Sequence, residues 1–120
     1  MAATVATLDA VSATGFHTDL EAKSERLREG ITKALFDARV PASVNGFPGF
    51  FHIGLGLTEA PKDYRDLVAI DKPRYAQLCF ALLNRGVRAL ERGAWFVSSA
   101  HTDDVIDETI LAFTEAVKEI

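Results

Sequence analysis

The feature of this 120-residue sequence that most constrains its fold is a change in the spacing of its apolar residues. Along one segment the inward-facing positions recur every three or four residues, at Leu20, Ser24, Leu27, Ile31 and Leu35. Further on they recur every second residue, at Phe51, Ile53, Leu55 and Leu57. The first spacing predicts an amphipathic helix and the second a half-buried β-strand. A chain with both patterns buries a helix stripe against one face of a sheet.

Polar residues and prolines set the boundaries of the first two predicted helices. Residues 1–14 carry apolar side chains at helical spacing, which predicts a short first helix. Thr18 followed by Glu21 is typical of a capping box, in which both side chains bond free backbone N–H groups at a helix start. The second helix is therefore predicted to begin near Asp19. It is predicted to end before Pro41, because proline disfavours helical geometry in the preceding residue.

A turn over residues 45–49 (NGFPG) is predicted to lead into the strand, and a polar stretch over residues 61–66 follows the strand. Asp71 can cap a third helix whose first turn tolerates Pro73, and Gly86 stands where a C-terminal cap belongs. The apolar face of this helix is predicted to contain Tyr75, Leu78, Leu82 and Leu83.

Two short strands are predicted over residues 87–90 and 94–98, on either side of a turn at residues 91–93. Thr102 is predicted to cap a final helix whose first turn is acidic. The apolar stripe of that helix is predicted to contain Ile106, Ile110, Phe113 and Val117. These few strands with irregular connections do not suit a doubly wound parallel sheet. The predicted fold class is α/β of the α+β type, a small, mostly antiparallel sheet with helices packed on one face.

Length and composition fit a single domain, residues 1–120, that closes its own core. The sequence is 48% apolar and 25% charged, which excludes disorder and fibrous repeats. Its net charge of −4, with no basic run, argues against nucleic acid and anionic membrane surfaces as partners. No apolar run is long enough to span a membrane, and no signal peptide is evident. The single cysteine, Cys79, excludes an internal disulfide, so we expect a cytoplasmic chain.

Residue types that carry chemistry are scattered along the sequence. No phosphate-binding loop, nucleophile elbow or zinc-binding helix motif occurs. His17, His52 and His101 are far apart and have no second ligand at a useful spacing, so no metal site is predicted. Cys79 lies beside the apolar face of the third helix and is expected to be a packed, inert thiol. None of the five lysines lies where burial would make its amine a nucleophile.

Arg92 differs from the other arginines because it lies in the short turn between two apolar segments. Gly93 and Ala94 follow it and leave room for a ligand to approach. An arginine fork fits a carboxylate through two parallel hydrogen bonds, so Arg92 is a candidate anion anchor. The alternative is a turn arginine that is simply solvated.

Several of these segments resemble the carboxy-terminal end of class III, fold-type-I aminotransferases, close to glutamate-1-semialdehyde aminomutases and β-amino-acid aminotransferases. The resemblance is carried by five segments in the family's order and spacing. These are residues 45–51 (NGFPGFF), 66–71 (DLVAID), 80–84 (FALLN), 85–87 (RGV) and 95–104 (WFVSSAHTDD), with 106–109 (IDET) continuing the last. It covers nearly all 120 residues.

The resemblance implies the fold of the family's small carboxy-terminal domain, in agreement with the predicted order of elements. Such enzymes hold pyridoxal phosphate in a large domain that supplies a Schiff-base lysine, an aspartate and a phosphate cup. In the family pattern all of these precede the position of Met1. The chain is therefore expected to hold no cofactor itself and to be inactive alone, as a fragment, a truncated reading frame or the surviving half of a split enzyme. Its expected partner is the missing large domain or a second copy of itself.

The resemblance also implies a role for Arg92. In the β-amino-acid branch this turn reads Pro-Arg-Gly, and its arginine is implied to grip the substrate carboxylate. Here the turn reads Glu91-Arg92-Gly93, and Glu91 places a negative charge beside the anchor. The aminomutase branch has Pro-Ser-x-Phe-Glu-Ala at this turn. That pattern is absent, which argues against aminomutase activity.

Two functions are therefore in competition. In the first, the chain is the small domain of an aminotransferase, closes over the cofactor domain and lends Arg92 to orient an amino acid. In the second, it is a stand-alone, non-enzymatic interaction domain that uses apolar surface to bind a protein partner or a second copy of itself. Catalysis by an unrelated site is disfavoured because no nucleophile and base pair emerges from the sequence.

Overall fold

Three strands and five helices make up the chain in the computed structural model, which describes residues 1–120. In chain order they are α1 (Ala2–Ser12), α2 (Phe16–Asp37), β1 (Ala42–Phe47), β2 (Phe50–Leu55), α3 (Tyr64–Leu67), α4 (Lys72–Leu83), β3 (Ala94–Phe96) and α5 (Asp103–Val117). The strands form one antiparallel sheet in the order β1-β2-β3. The predicted α+β class with a small antiparallel sheet is confirmed.

The alternation predicted for the central strand is confirmed by its burial. The side chains of Phe51, Ile53 and Leu55 on β2 are almost completely buried, as is Trp95, which pairs with Phe51 from β3. Their neighbours on β2 point to the opposite face, where the exposed ring of Phe50 contacts that of Phe96 at a centroid distance of 5.0 Å. One face of the sheet is thus the core face, and the other carries exposed aromatic rings.

Helices α2, α4 and α5 supply the rest of the core. The predicted stripe of α2 is buried at Ser24, Leu27, Ile31 and Leu35, with Leu20 partly buried. The core contains 19 buried side chains drawn from these helices, β2, β3 and the adjoining loops. Each fully buried large apolar side chain stabilises the fold by about 1.5–3 kcal/mol. Helix α1 lies outside this core, since none of its side chains is buried.

Two predicted helix caps are present. The Asp71 carboxylate accepts from the backbone N–H of Arg74 at the start of α4, and the Thr102 hydroxyl accepts from that of Val105 in α5. Gly86 has a φ of +81° after α4, and the next N–H, that of Val87, donates to the Leu82 carbonyl at 3.0 Å. This arrangement is a Schellman motif, which glycine favours.

The predicted start of α2 is wrong. The helix begins at Phe16, and Gly15 precedes it in a left-handed conformation. No side chain caps this end, and Thr18 lies inside the first turn. The capping-box pattern is therefore not used, because a glycine with φ of +85° redirects the chain three residues earlier.

The predicted turn at residues 45–49 is also wrong in extent. Residues 45–47 belong to β1, which pairs along its full length with β2, and the hairpin turn contains only Pro48 and Gly49. Asn45 and Gly46 favour turns locally, but both pair with β2, opposite His52 and Phe51. Pairing between strands therefore overrides local propensity at these positions.

Four smaller differences concern the second half of the chain. Residues 87–90 form no strand, and β3 ends at Phe96 rather than at residue 98. The polar stretch gains the short helix α3, which Asp63 caps by accepting from two backbone N–H groups. Leu83, predicted on the buried face of α4, is exposed. These segments border the surface, where no neighbouring element enforces the predicted arrangement.

Candidate functional site

The turn that carries Arg92 connects residues 87–90 to β3. The Gly93 N–H donates to the Leu90 carbonyl at 3.1 Å and closes a β-turn with Glu91 and Arg92 at its centre. Gly93 has a φ of +88°, and a Cβ there would lie 2.6 Å from the Ile53 carbonyl oxygen. The turn therefore needs glycine both for its conformation and for its close approach to β2.

Two hydrogen bonds from β2 hold this turn. The Ile53 N–H donates to the Gly93 carbonyl at 2.9 Å. The His52 ring Nε2 lies 3.1 Å from the Arg92 carbonyl oxygen, and because a carbonyl only accepts, Nε2–H is the donor. His52 Nδ1 is buried and has no partner. The sequence did not mark His52 as a site residue, although its outward position in the alternation put it on the correct strand.

A cavity of about 450 Å³ lies beside the turn. It is lined by His52, Ile53, Tyr64, Leu67, Val68, Ile70, Lys72, Tyr75, Glu91, Arg92 and Gly93. Its volume falls within the range of roughly 300–1,000 Å³ that small-molecule sites occupy. Arg92, the predicted anion anchor, therefore lies at the border of a pocket. A turn arginine that is simply solvated would lie on a flat surface.

Charges in this cavity come from two cations and one carboxylate. The side chains of Arg92, Lys72 and Glu91 are exposed at its rim, and none of them makes a hydrogen bond or an ion pair with another side chain. Lys72 occupies the first turn of α4, next to the Asp71 carboxylate that caps this helix. The cavity can therefore attract an anion without first breaking an internal salt bridge.

Tyr75 contributes a polar group to the lining from the core side. Its hydroxyl oxygen accepts from Trp95 Nε1–H at 2.9 Å. Burial, with a smaller contribution from Cys79, raises the pKa of Tyr75 well above its usual value. The group is therefore a neutral phenol at physiological pH and adds no charge to the site.

The remaining predicted chemistry does not converge on this cavity. Cys79 is buried in the core, where burial raises the pKa of its thiol, as expected for an unreactive cysteine. His17 packs its ring edge-on against Phe16, and His101 Nδ1 accepts from the Ser98 N–H at 3.0 Å. No three His, Cys, Asp or Glu side chains meet in a group that could hold a metal ion.

The lysines do not form a site for pyridoxal phosphate. An amine nucleophile must be deprotonated, which burial favours. Lys33 and Lys118 form exposed ion pairs along their own helices, Lys62 and Lys72 are exposed, and Lys23 donates to the Ser99 carbonyl at 3.1 Å. Lys72 and Lys62 each line a cavity together with carboxylates, but both lysines are exposed rather than buried. The residues of this chain therefore do not fit the cofactor.

A second, larger groove of about 780 Å³ runs along α4, the segment 87–92 and the edge of β3. Its walls are mostly apolar and include the exposed side chains of Phe80, Leu83, Leu90 and Phe96. None of the five helices combines the length and the apolar composition that a membrane-spanning helix requires.

Comparison of the sequence with known proteins gives a consistent group of relatives. No family model matches the chain. A glutamate-1-semialdehyde 2,1-aminomutase from Delftia acidovorans is 38% identical over 117 residues, covering 95% of this chain and 26% of that protein. Another glutamate-1-semialdehyde 2,1-aminomutase, from Desulfosudis oleivorans, is 36% identical over 115 residues. The match covers 93% of this chain and 26% of that protein. The chain thus spans about a quarter of the length of these relatives.

Solved structures give the same result for the fold. An omega-transaminase from Sphaerobacter thermophilus superposes with a TM-score of 0.76 at 26% identity, covering 85% of this chain and 24% of that one. A β-phenylalanine aminotransferase from Variovorax paradoxus has a TM-score of 0.72 at 24% identity, covering 80% of this chain and 22% of that one. A transaminase with PLP bound has a TM-score of 0.73 at 22% identity, covering 91% of this chain and 24% of that one.

Sequence and fold together relate this chain to the class III aminotransferases and glutamate-1-semialdehyde aminomutases, over about a quarter of their length, the portion that resembles their carboxy-terminal small domain.

Proposed function

We propose that this chain acts as the small domain of a class III aminotransferase and works together with a cofactor-binding large domain. The observation that carries the proposal is the coverage, in which more than nine-tenths of the chain matches about a quarter of each relative. A similar structure is a transaminase with PLP bound. Because the residues of this chain do not fit that cofactor, the complementary three-quarters would hold it and supply the electron-sink chemistry.

In this proposal Arg92 orients the amino-acid substrate by binding its carboxylate. Two hydrogen bonds from β2 hold the turn, so the Arg92 side chain extends from a fixed backbone position. A fixed anchor contributes to rate because it restricts the substrate to the reactive geometry before the chemical step. Closure of the small domain over the cofactor domain would also exclude water from the site. Glu91 beside the anchor would limit the strength of carboxylate binding.

A chimera tests the proposal directly. This chain would replace the matching quarter of the Delftia acidovorans relative, and amino-group transfer would be measured with pyridoxal phosphate and an amino-acid donor. We expect the chimera to be active and the chain alone to be inactive. Arg92→Ala should raise KM for the amino acid about tenfold, with a smaller effect on kcat, and Arg88→Ala should match the parent. An unchanged KM in Arg92→Ala would refute the anchor role.

The isolated chain provides a second readout. Mixed with pyridoxal phosphate, it should gain no stoichiometric yellow colour and should exchange no amino groups. Catalytic turnover by the 120 residues alone would refute the proposal that the cofactor-binding domain is required for activity.

A second candidate function is a stand-alone domain that associates through its exposed aromatic face. Phe47, Phe50 and Phe96 all lie on the sheet face opposite the core and are exposed. Sedimentation equilibrium should then show self-association that Phe50→Glu weakens. Phe36→Glu, on an exposed position of α2, is the matched control. Strictly monomeric behaviour at high concentration would count against this function.

Two properties of the assembled protein are part of the same proposal. We expect a cytoplasmic location, because one free cysteine is buried in the core and no disulfide is available. We also expect an oligomer, since the exposed aromatic face would be covered in a larger assembly.

A further inference from the structure

Asn45 and Gly46 are neighbours on β1, an edge strand of the sheet, and form the one Asn-Gly dipeptide of the chain. Asparagine is thermolabile because the backbone nitrogen of the next residue can attack its side-chain amide carbon. A glycine in the second position has no Cβ to obstruct this attack. The other asparagine, Asn84, is followed by Arg85 and caps the end of α4. The chain therefore contains one asparagine in a reactive sequence context and one outside it.

The register of the hairpin directs the Gly46 nitrogen away from β2. The Gly56 N–H donates to the Pro41 carbonyl at 2.7 Å, and hydrogen-bonded pairs recur at every second residue of an antiparallel ladder. The pair of Asn45 with His52 is therefore hydrogen-bonded. Gly46, one residue further along, belongs to the alternate set, whose N–H groups point to the open edge of β1. Because Gly46 is exposed, its nitrogen is accessible to base from the solvent.

Packing between the strands requires glycine at position 46. A Cβ on Gly46 would lie 2.5 Å from the Phe50 carbonyl oxygen and 2.5 Å from the Phe51 Cα, both on the facing strand. A larger residue, which would slow the attack on Asn45, would therefore push β1 away from β2. The reactive dipeptide is thus a consequence of how closely the two strands approach.

We propose that Asn45 is a site of spontaneous deamidation, restrained by the ladder between β1 and β2 and released when this end of the hairpin opens. The Gly46 nitrogen forms a bond to the side-chain amide carbon of Asn45. The side-chain nitrogen leaves as ammonia, taking up through solvent the proton lost by Gly46, and a cyclic imide remains. Water then adds to one of the two imide carbonyls, and the ring opens to aspartate or isoaspartate. The net change is the loss of ammonia and the gain of water.

Three hydrogen bonds restrain Asn45 in the folded chain. Its backbone N–H and carbonyl pair with His52, which keeps the residue extended, and its side-chain Oδ1 accepts from Ser43 Oγ–H at 3.0 Å. Ring closure needs the side chain to turn onto the next backbone nitrogen, so the ladder must first open locally. Each hydrogen bond adds a modest net stability, so folding should slow the reaction by about tenfold to a thousandfold.

Both products change the hairpin. Aspartate at position 45 places a carboxylate opposite the His52 ring, which itself lies 3.1 Å from the Arg92 carbonyl oxygen of the neighbouring turn. Isoaspartate routes the backbone through the former side chain and lengthens it by a methylene group. Gly46 and Phe47 then lose their register with β2. The proposal is independent of the function proposed for the chain.

The test incubates the 120-residue chain at pH 8, folded and in urea, and follows each asparagine by peptide mass spectrometry. Amide hydrogen exchange of the folded chain gives the fraction of time that the Asn45 N–H is open. We expect Asn45 to deamidate in urea while Asn84 stays intact. The folded chain should react more slowly, by the same factor by which the Asn45 amide is protected from exchange. The Gly46 amide, outside the ladder, should exchange much faster than that of Asn45.

A variant of the restraining side chain sharpens the test. Ser43→Ala removes the hydrogen bond to Asn45 Oδ1, so deamidation of the folded chain should become about threefold to tenfold faster, with no change in urea. Ser12→Ala, at an exposed position of α1, is the matched control and should react like the parent.

Any of three results overturns the proposal. The first is equal deamidation of Asn45 in the folded and the urea-unfolded chain. The second is an Asn45 that reacts no faster than Asn84 in urea. The third is a folded-state rate that does not follow the protection of the Asn45 amide, in the parent or in Ser43→Ala. Because each protein is compared with its own amide protection, a loosened hairpin in the variant does not obscure the result.

Discussion

Trp95 donates a hydrogen bond from its indole Nε1–H to the Tyr75 hydroxyl oxygen at 2.9 Å, in the centre of the core. The bond connects β3 to α4 and gives two buried polar groups a partner. The Trp95 ring also stacks on Phe51 and meets Phe113 edge-on, both with ring centroids 6.0 Å apart. The only tryptophan of the chain therefore reports directly on the integrity of the core.

The buried phenol makes stability fall at alkaline pH. The pKa of Tyr75 is raised in the folded state, mainly by burial, so above the ordinary value of about 10 the unfolded chain releases this proton first. Stability from this group is thus fully present below pH 10 and should decline as pH rises, by at most about 1.4 kcal/mol per pH unit. Urea unfolding followed by Trp95 fluorescence at pH 8, 10 and 11 measures the decline.

The Tyr75→Phe variant isolates this contribution. It removes the ionisable hydroxyl and leaves Trp95 Nε1–H without its partner, so it should be less stable at pH 8 by about 1–3 kcal/mol. Its decline above pH 10 should be shallower than that of the parent. The decline should not vanish, because burial also raises the pKa of Cys79. If the free energy of unfolding declined equally steeply with pH in Tyr75→Phe and in the parent, the Tyr75 hydroxyl would not be the group responsible.

Two glycines with the same backbone conformation should respond differently to alanine. Gly86 and Gly93 have φ values of +81° and +88°, and a Cβ on Gly86 would meet nothing within 4 Å. Gly86→Ala should therefore cost about 1 kcal/mol, the conformational term alone. Gly93→Ala should cost about 3 kcal/mol, because its Cβ would also press on the Ile53 carbonyl and the His52 ring. Similar losses in the two variants, measured by urea unfolding, would show that the turn is not packed as described.

Helix α5 offers a matched pair of core and surface substitutions. Phe113 is completely buried, whereas Leu111 is 64% exposed on the same helix. Phe113→Ala should reduce the free energy of unfolding by about 3–5 kcal/mol, through lost burial and a cavity beside Trp95. Leu111→Ala should change it by less than about 0.5 kcal/mol. A small effect of Phe113→Ala would contradict the position of α5 in the core.

The ion pair between α2 and α5 should contribute little and should depend on salt. Arg26 Nε and Nη2 donate to the two carboxylate oxygens of Asp107 at 2.9 and 2.7 Å, but both side chains are about half exposed. A double-mutant cycle with Arg26→Ala and Asp107→Ala should give a coupling free energy below about 1 kcal/mol. The coupling should shrink further in 1 M NaCl. A larger, salt-independent coupling would contradict this account.

Local signals in the sequence predict those parts of the fold that depend on nearby residues. The stripe of α2 and the caps at Asp71 and Thr102 follow from spacing and side-chain chemistry within one or two helical turns. Strand β1 does not follow in this way, because Asn45 and Gly46 join a strand only through their pairing with His52 and Phe51. Residues 87–90 show the converse, an apolar segment that forms no strand because no strand pairs with it.

In the candidate site, too, some residues are recognisable from local sequence and others only from the fold. Arg92 was recognisable from its residue type and its place in a short turn. Lys72 and Tyr64 lie about 20 or more residues upstream, in segments that read as a helix start and a polar stretch, and only the fold brings them to the same cavity. His52 had a weak signal, since the alternation directs it away from the core. The register that puts it beside the Arg92 turn arises from the pairing of β2 with β3.

Helix α1 buries no side chain, although it is 11 residues long. Isolated helices of this length are marginal in water, so fraying of α1 should leave the tryptophan environment untouched. Its amide protons should exchange with solvent far faster than those of α2, and far-ultraviolet circular dichroism should drift with temperature before fluorescence changes. This segment can therefore unfold locally while the other helices and the sheet keep their packing, so its conformation is decoupled from the stability of the core.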